Sequence, residues 1–109
     1  MNKKTNEENL ETNYRLAVEN KIFTSGIRFS IMIILLQHSE ISLNNLQKLL
    51  KITPGNLDHH LKQLEQHKLI KKNSKIFKTR FLVHITITEE GKRDFKEYIN
   101  KIKNIIQEI

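Results

Sequence analysis

Residues 53–67, Thr-Pro-Gly-Asn-Leu-Asp-His-His-Leu-Lys-Gln-Leu-Glu-Gln-His, combine an apolar repeat with groups that form hydrogen bonds. At 100° per residue, with Leu57, Leu61 and Leu64 set inward, Gly55, Asn56, His59, Lys62 and Gln63 fall on the opposite side of a helix. Asn and Gln can bond adenine through both N6 and N7, and a glycine allows close backbone approach. Asn56, His59 and Gln63 are therefore the candidates for base-edge contacts, with Thr53, Gly55 and Lys62 beside them. The competing interpretation is an ordinary solvated helix face. Asp58 lies at the flank, four residues before Lys62, and suits a surface ion pair. His60 is off the centre of this face and fits either partial packing or a phosphate contact.

A second segment follows directly. Residues 69–80 carry Lys71, Lys72, Lys75, Lys78 and Arg80 with no acid, and these account for most of the chain's net charge of +7. Each suits a phosphate contact, and each such contact would steepen the salt dependence of binding. The planar fork of Arg80 could instead enter a minor groove. A solubilising loop is the alternative, less common for cations uncompensated over so short a stretch.

Other chemistry is poorly supported. His59 and His60 are adjacent and diverge by about 100° on a helix, while His38, His67 and His84 belong to other elements, so no metal site is expected. No phosphate-binding glycine loop, nucleophile motif or pair of carboxylates at a spacing that would force one pKa upward is found, which argues against an enzyme and against a cofactor. Cysteine is absent, excluding disulfides and thiolate ligands. The first residues lack the apolar run of a signal peptide, and the longest apolar stretch, Ile31 to Leu36, is too short to span a bilayer. The expected location is cytoplasmic, with no membrane partner.

The elements that would position these groups follow from periodicity. With 109 residues, 38% hydrophobic and 28% charged, one folded domain is expected. Leu10, Tyr14, Ala17, Val18 and Ile22 predict an amphipathic helix over about 7–22. Ser25 would cap a second helix, almost wholly apolar from Ile27 to Leu36, that forms the core and stops near His38. Glu40-Ile41-Ser42 fits a short strand, or Ser42 caps the brief helix carrying Leu43, Leu46, Leu49 and Leu50. Lys51-Ile52 then turns, and Thr53 caps the next helix with Pro54 at its first position. Two strands are expected at 68–73 and 80–88, with Phe81, Val83, Ile85 and Ile87 on one face of the second. In the last helix, Phe95, Tyr98, Ile102, Ile105 and Ile109 recur in steps of three and four, and Ile99 and Ile106 widen that seam. It exceeds what one small domain needs, so part of it is expected to face a second copy.

This element order describes a winged helix with flanking helices: mainly α, with a small antiparallel β-hairpin. Three segments carry a resemblance: Gly26-Ile27-Arg28-Phe29-Ser30-Ile31-Met32; Thr53-Pro54-Gly55-Asn56-Leu57 with His60-Leu61-Lys62 and Leu64-Glu65; and Thr86-Ile87-Thr88-Glu89-Glu90-Gly91. Over roughly residues 25–105 the chain resembles the small winged-helix transcriptional regulators related to the MarR and ArsR groups. The resemblance implies that the Thr53 helix is a recognition helix, the hairpin a wing, and the terminal helices a homodimer. It departs from the family pattern at Asp58, usually small or polar, and at Lys75, often glycine in the wing. The wing is then expected to turn through Asn73-Ser74.

The resulting expectation is a homodimeric, sequence-specific regulator of double-stranded DNA. Residues 1–24 would pack or dimerise, 25–88 would form the winged helix-turn-helix core, and 89–109 the dimerisation helix. Leu10, Tyr14, Phe95, Tyr98, Ile99, Ile102, Ile105, Ile106 and Ile109 are its interface candidates. A protein-docking winged helix and an RNA-binding protein are the alternatives. No feature of the chain identifies a small-molecule effector.

Overall fold

The computed structural model describes residues 3–109, and the side chains of all of these except 3–8, 16, 18 and 77. Five helices and three strands follow in the order α1 (Lys3–Glu19), α2 (Gly26–His38), β1 (Glu40–Ser42), α3 (Leu43–Leu50), α4 (Pro54–Gln66), β2 (Ile70–Phe77), β3 (Arg80–Ile87) and α5 (Glu89–Gln107).

Each of α2 to α5 opens on a hydroxyl. Ser25, Ser42, Thr53 and Thr88 accept hydrogen bonds from the backbone N–H of Arg28, Asn45, Asn56 and Gly91, satisfying donors that a helix start leaves unpaired. Ser42 does both jobs foreseen for it, closing β1 and capping α3. Helix α1 stops at Glu19, short of the expected Ile22, because the Asn20 carboxamide oxygen takes the N–H groups of Ile22 (3.0 Å) and Phe23 (2.6 Å). That side chain offers the backbone an alternative to another helical turn. Within the expected stripe of α1, the Val18 side chain falls outside the described residues.

The core forms where α2 meets α3, α4, α5 and the sheet. Ile31, Met32 and Leu35 of α2, Leu46 of α3, Leu57, Leu61 and Leu64 of α4, Ile85 of β3 and Phe95 of α5 are fully buried. Phe23, Phe29, Phe95 and Tyr98 form an aromatic cluster, with Phe95 centred 5.0 Å from Phe23 and 5.3 Å from Phe29 in edge-to-face contact.

The short strand read at Glu40–Ser42 joins the hairpin, whose own bounds depart from the expected 68–73 and 80–88. Strand β1 pairs antiparallel with β3 (Glu40 opposite Thr86, Ser42 opposite His84), giving the order β1-β3-β2. The hairpin itself is longer. β2 and β3 stay in register from Ile70–Ile87 out to Phe77–Arg80, so the turn lies at Lys78-Thr79 and Asn73-Ser74 are mid-strand. Lys78 takes a left-handed φ of 57°, so the position that would favour glycine is Lys78, not Lys75. Asn73 and Ser74 keep the extended backbone that pairing with His84 and Val83 demands.

Candidate nucleic-acid interface

The Leu57, Leu61, Leu64 stripe is buried, which fixes the rotation of α4. Gly55, Asn56, His59 and Lys62 are left exposed, with Gln63 half-buried at the margin. Thr53 supports this face from below by capping the Asn56 N–H at 3.2 Å. No side chain lies within 4 Å of where a Cβ on Gly55 would stand, so its backbone faces open space.

Asp58 is neutralised rather than presented. Its carboxylate lies 2.9 Å from Lys62 Nζ and 3.5 Å from Lys72 Nζ, tying helix to hairpin. The hydrogen bond from Lys62, reinforced by both positive charges against a smaller desolvation effect, holds the Asp58 carboxyl below its ordinary range; Asp58 in turn raises the Lys62 ammonium. Lys62 and Lys72, read as DNA contacts, are thus engaged within the chain, and Lys72 is only 27% exposed.

His60 is also turned away from the open face. Its Nδ1 lies 2.9 Å from Arg28 Nη1, and the same guanidinium donates to the backbone carbonyls of Ile22 (2.8 Å) and Lys21 (3.1 Å). A guanidinium can only donate, so Nδ1 must be the acceptor and the ring is neutral with its proton on Nε2. Partial burial, then the positive charge of Arg28 and the neighbouring His59, push the His60 pKa below its ordinary 6.5. Of the two roles open to His60 in the sequence, packing is the one observed. Arg28, the residue that decides it, was visible only as part of the Gly26-to-Met32 segment.

Two of the hairpin lysines meet acids from other segments. No acid occurs between Glu65 and Glu89, yet acids from elsewhere fold back onto the strands: Asp58 onto Lys72, and Glu40 onto Lys75 at 3.5 Å. Glu40 also approaches His84 Nδ1 at 3.1 Å, off the hydrogen-bond direction. Lys71, Lys78 and Arg80 remain exposed. Sequence reading missed Glu40 because it reaches the hairpin only through the pairing of β1 with β3.

The seam of α5 is divided. Phe95 and Tyr98, expected at a dimer interface, are buried within the chain against Phe23 and Phe29, and burial raises the Tyr98 phenol above its ordinary pKa. Ile99 and Ile102 pack partly on the same core. Ile106 and Ile109, beyond them, are exposed, as is Tyr14 on α1. Leu10 and Ile105 are half-buried. Among the described residues there is no group of three metal-ligating side chains, and no helix long and apolar enough to cross a membrane.

Comparison with known proteins adds independent findings. Residues 27–106 match the family model of the winged helix DNA-binding domain. An uncharacterized protein of Methanocaldococcus jannaschii is 36% identical over 89 residues, 82% of this chain and 97% of that one. A transcriptional regulator homologue from Pyrococcus horikoshii superposes with a TM-score of 0.83 at 29% identity, covering 88% of this chain and 95% of its own. The YusO protein of Bacillus subtilis has the same fold at 15% identity, with a TM-score of 0.71 over 96% of this chain and 70% of that one. The resemblance read from the three sequence segments agrees with these matches. With the family match running from α2 almost to the end of α5, the chain belongs to the winged helix DNA-binding domain family.

Proposed function

We propose that this chain acts as a homodimer that reads double-stranded DNA by sequence, and that it carries no catalytic step. The observation that carries this reading is the exposed Gly55, Asn56, His59 face of α4, set beside an acid-free hairpin in a chain of this family. Helix α4 enters the major groove, where Asn56, His59 and Gln63 address base edges. Lys71, Lys78 and Arg80 hold flanking phosphates, and Lys75 joins them by exchanging its weak surface pair with Glu40 for a phosphate. Lys62 and Lys72 serve chiefly to fix Asp58 and to align the wing with the helix. The exposed Tyr14 of α1 and the exposed Ile106 and Ile109 at the end of the chain's α5 seam join two copies, so half-sites fall about one helical turn apart, ~10 bp, or a multiple of it.

Anisotropy titrations of duplexes selected from a random pool, at about 50 and 200 mM salt, test the reading. Binding should weaken steeply with salt. Asn56→Ala with Gln63→Ala should flatten the preference among sequences, at a cost of about 1–3 kcal/mol per lost bidentate contact. Lys78→Ala should weaken all duplexes alike and lower the salt slope by about one. Absence of salt-sensitive binding to any duplex would overturn the proposal.

A further inference from the structure

The wing tip carries an apolar pair that the fold does not use. Ile76 and Phe81 are direct cross-strand partners, 73% and 70% exposed. They lie on the sheet face of Ile70, Ile85 and Ile87, whose side chains enter the core, and Val83 leads toward them along that row. The core ends before the strands do, so these two side chains form an uncovered patch beyond it. The same face is tied to α4 through Lys72 and Asp58.

We propose that Ile76 and Phe81 form an apolar wedge that enters the DNA minor groove next to α4 and partly opens a base step there. This rests on the DNA-binding reading of α4. Charge selects the occupant: the pair is enclosed in a stretch without acids, with Lys78 in the turn and Arg80 beside Phe81. An apolar tip held among cations suits a polyanion that offers a stacked apolar interior. Reach agrees as well. From the Lys72–Ile85 pair beside α4 to the Ile76–Phe81 pair is four residues, about 13 Å of strand, comparable with the ~17 Å half-turn between adjacent grooves. A two-stranded ribbon is too wide for an undistorted minor groove about 6 Å across. Only the side chains can enter, and the groove must widen as they do. The wedge should therefore favour pyrimidine–purine steps, which unstack most readily.

The test uses the full chain and a duplex recovered by selection, with 2-aminopurine placed in turn at each step flanking a half-site. The expected result is a fluorescence rise at one flanking step with the natural chain. It should vanish in the Ile76→Ser, Phe81→Ser double variant, whose affinity falls roughly tenfold or more, the equivalent of leaving one such side chain unburied. The salt slope should not change, since no charge is removed, and Phe81→Leu should retain most of the signal. Both positions are exposed, so thermal melts should coincide. If the double variant binds as the natural chain does, with the fluorescence flat throughout, the wedge is overturned while the α4 reading stands. Unchanged DNA binding with an altered oligomeric state overturns it in favour of a second copy covering the patch. Failure of the natural chain to bind any duplex overturns both.

Discussion

At the residue scale, the most constrained polar group near the candidate interface is His60. Its Nδ1 accepts from Arg28, which also holds the carbonyls of Lys21 and Ile22, so one neutral imidazole links α4 to the turn after α1. Because its folded-state pKa is depressed from 6.5, the unfolded chain binds the proton more readily. The His60 contribution is therefore fully present above about pH 6.5 and is lost as pH falls through the lower folded value. Protonation also places a second positive charge against Arg28. The melting temperature should drop between about pH 7 and 5.5, and His60→Asn should flatten that dependence, as followed by circular dichroism. An unchanged slope in the variant would remove His60 as its source. Asp58 shifts stability in the same direction but at lower pH, since its depressed pKa places any contribution above the ordinary carboxylate range and removes it in acid.

At the element scale, the boundaries best foreseen were those fixed by local chemistry. Ser25 and Thr53-Pro54 start helices through hydrogen bonds to residues three positions on, so the sequence alone locates them. The rotation of α4 was legible for a similar reason, because Leu57, Leu61 and Leu64 leave one way to bury the stripe. The hairpin turn and the partners of its lysines were not legible. Register there depends on which residues pair across strands, and Glu40 and Asp58 arrive from distant segments. The burial of Phe95 and Tyr98 was hidden in the same way, since a 3-4 repeat does not say whether its partner is the chain itself or another copy. The Thr88-to-Gly91 segment shows local and distant constraints coinciding. Thr88 Oγ1 accepts from Gly91 N and donates to Lys68 O at 2.7 Å, and a Cβ on Gly91 would collide with the Leu69 carbonyl. Gly91→Ala should therefore destabilise by about 1–3 kcal/mol despite alanine's better helix propensity, because backbone must move to admit it. Urea denaturation decides this, and a neutral or stabilising result would refute the close-packing account.

At the scale of the whole molecule, the chain is elongated, 64 × 25 × 22 Å, with a radius of gyration of 16.7 Å where a compact domain of this length would have about 13 Å. Elongation comes with the α1–α5 pair, whose long helices lie against one another. The apolar repeat of α5 is satisfied internally for its first turns, through Phe95 and Tyr98, and is left uncovered at its end, where Ile106 is 58% and Ile109 fully exposed. A repeat that continues past its own core calls for another surface, and Tyr14 on α1 adds to it. Two copies joined there would bind two half-sites as one event. The second contact then becomes intramolecular, raising affinity by about 10²–10⁴ without any new DNA contact. Sedimentation should show the natural chain at twice 13.0 kDa, and Ile106→Asp should return it to a monomer with unchanged helicity, since that side chain is not part of the buried core. The same substitution should cost most of this gain on a two-half-site duplex and almost none on a single half-site. A natural chain that sediments as a monomer at micromolar concentration, or a variant that loses both affinities equally, would show that α5 does not join the copies.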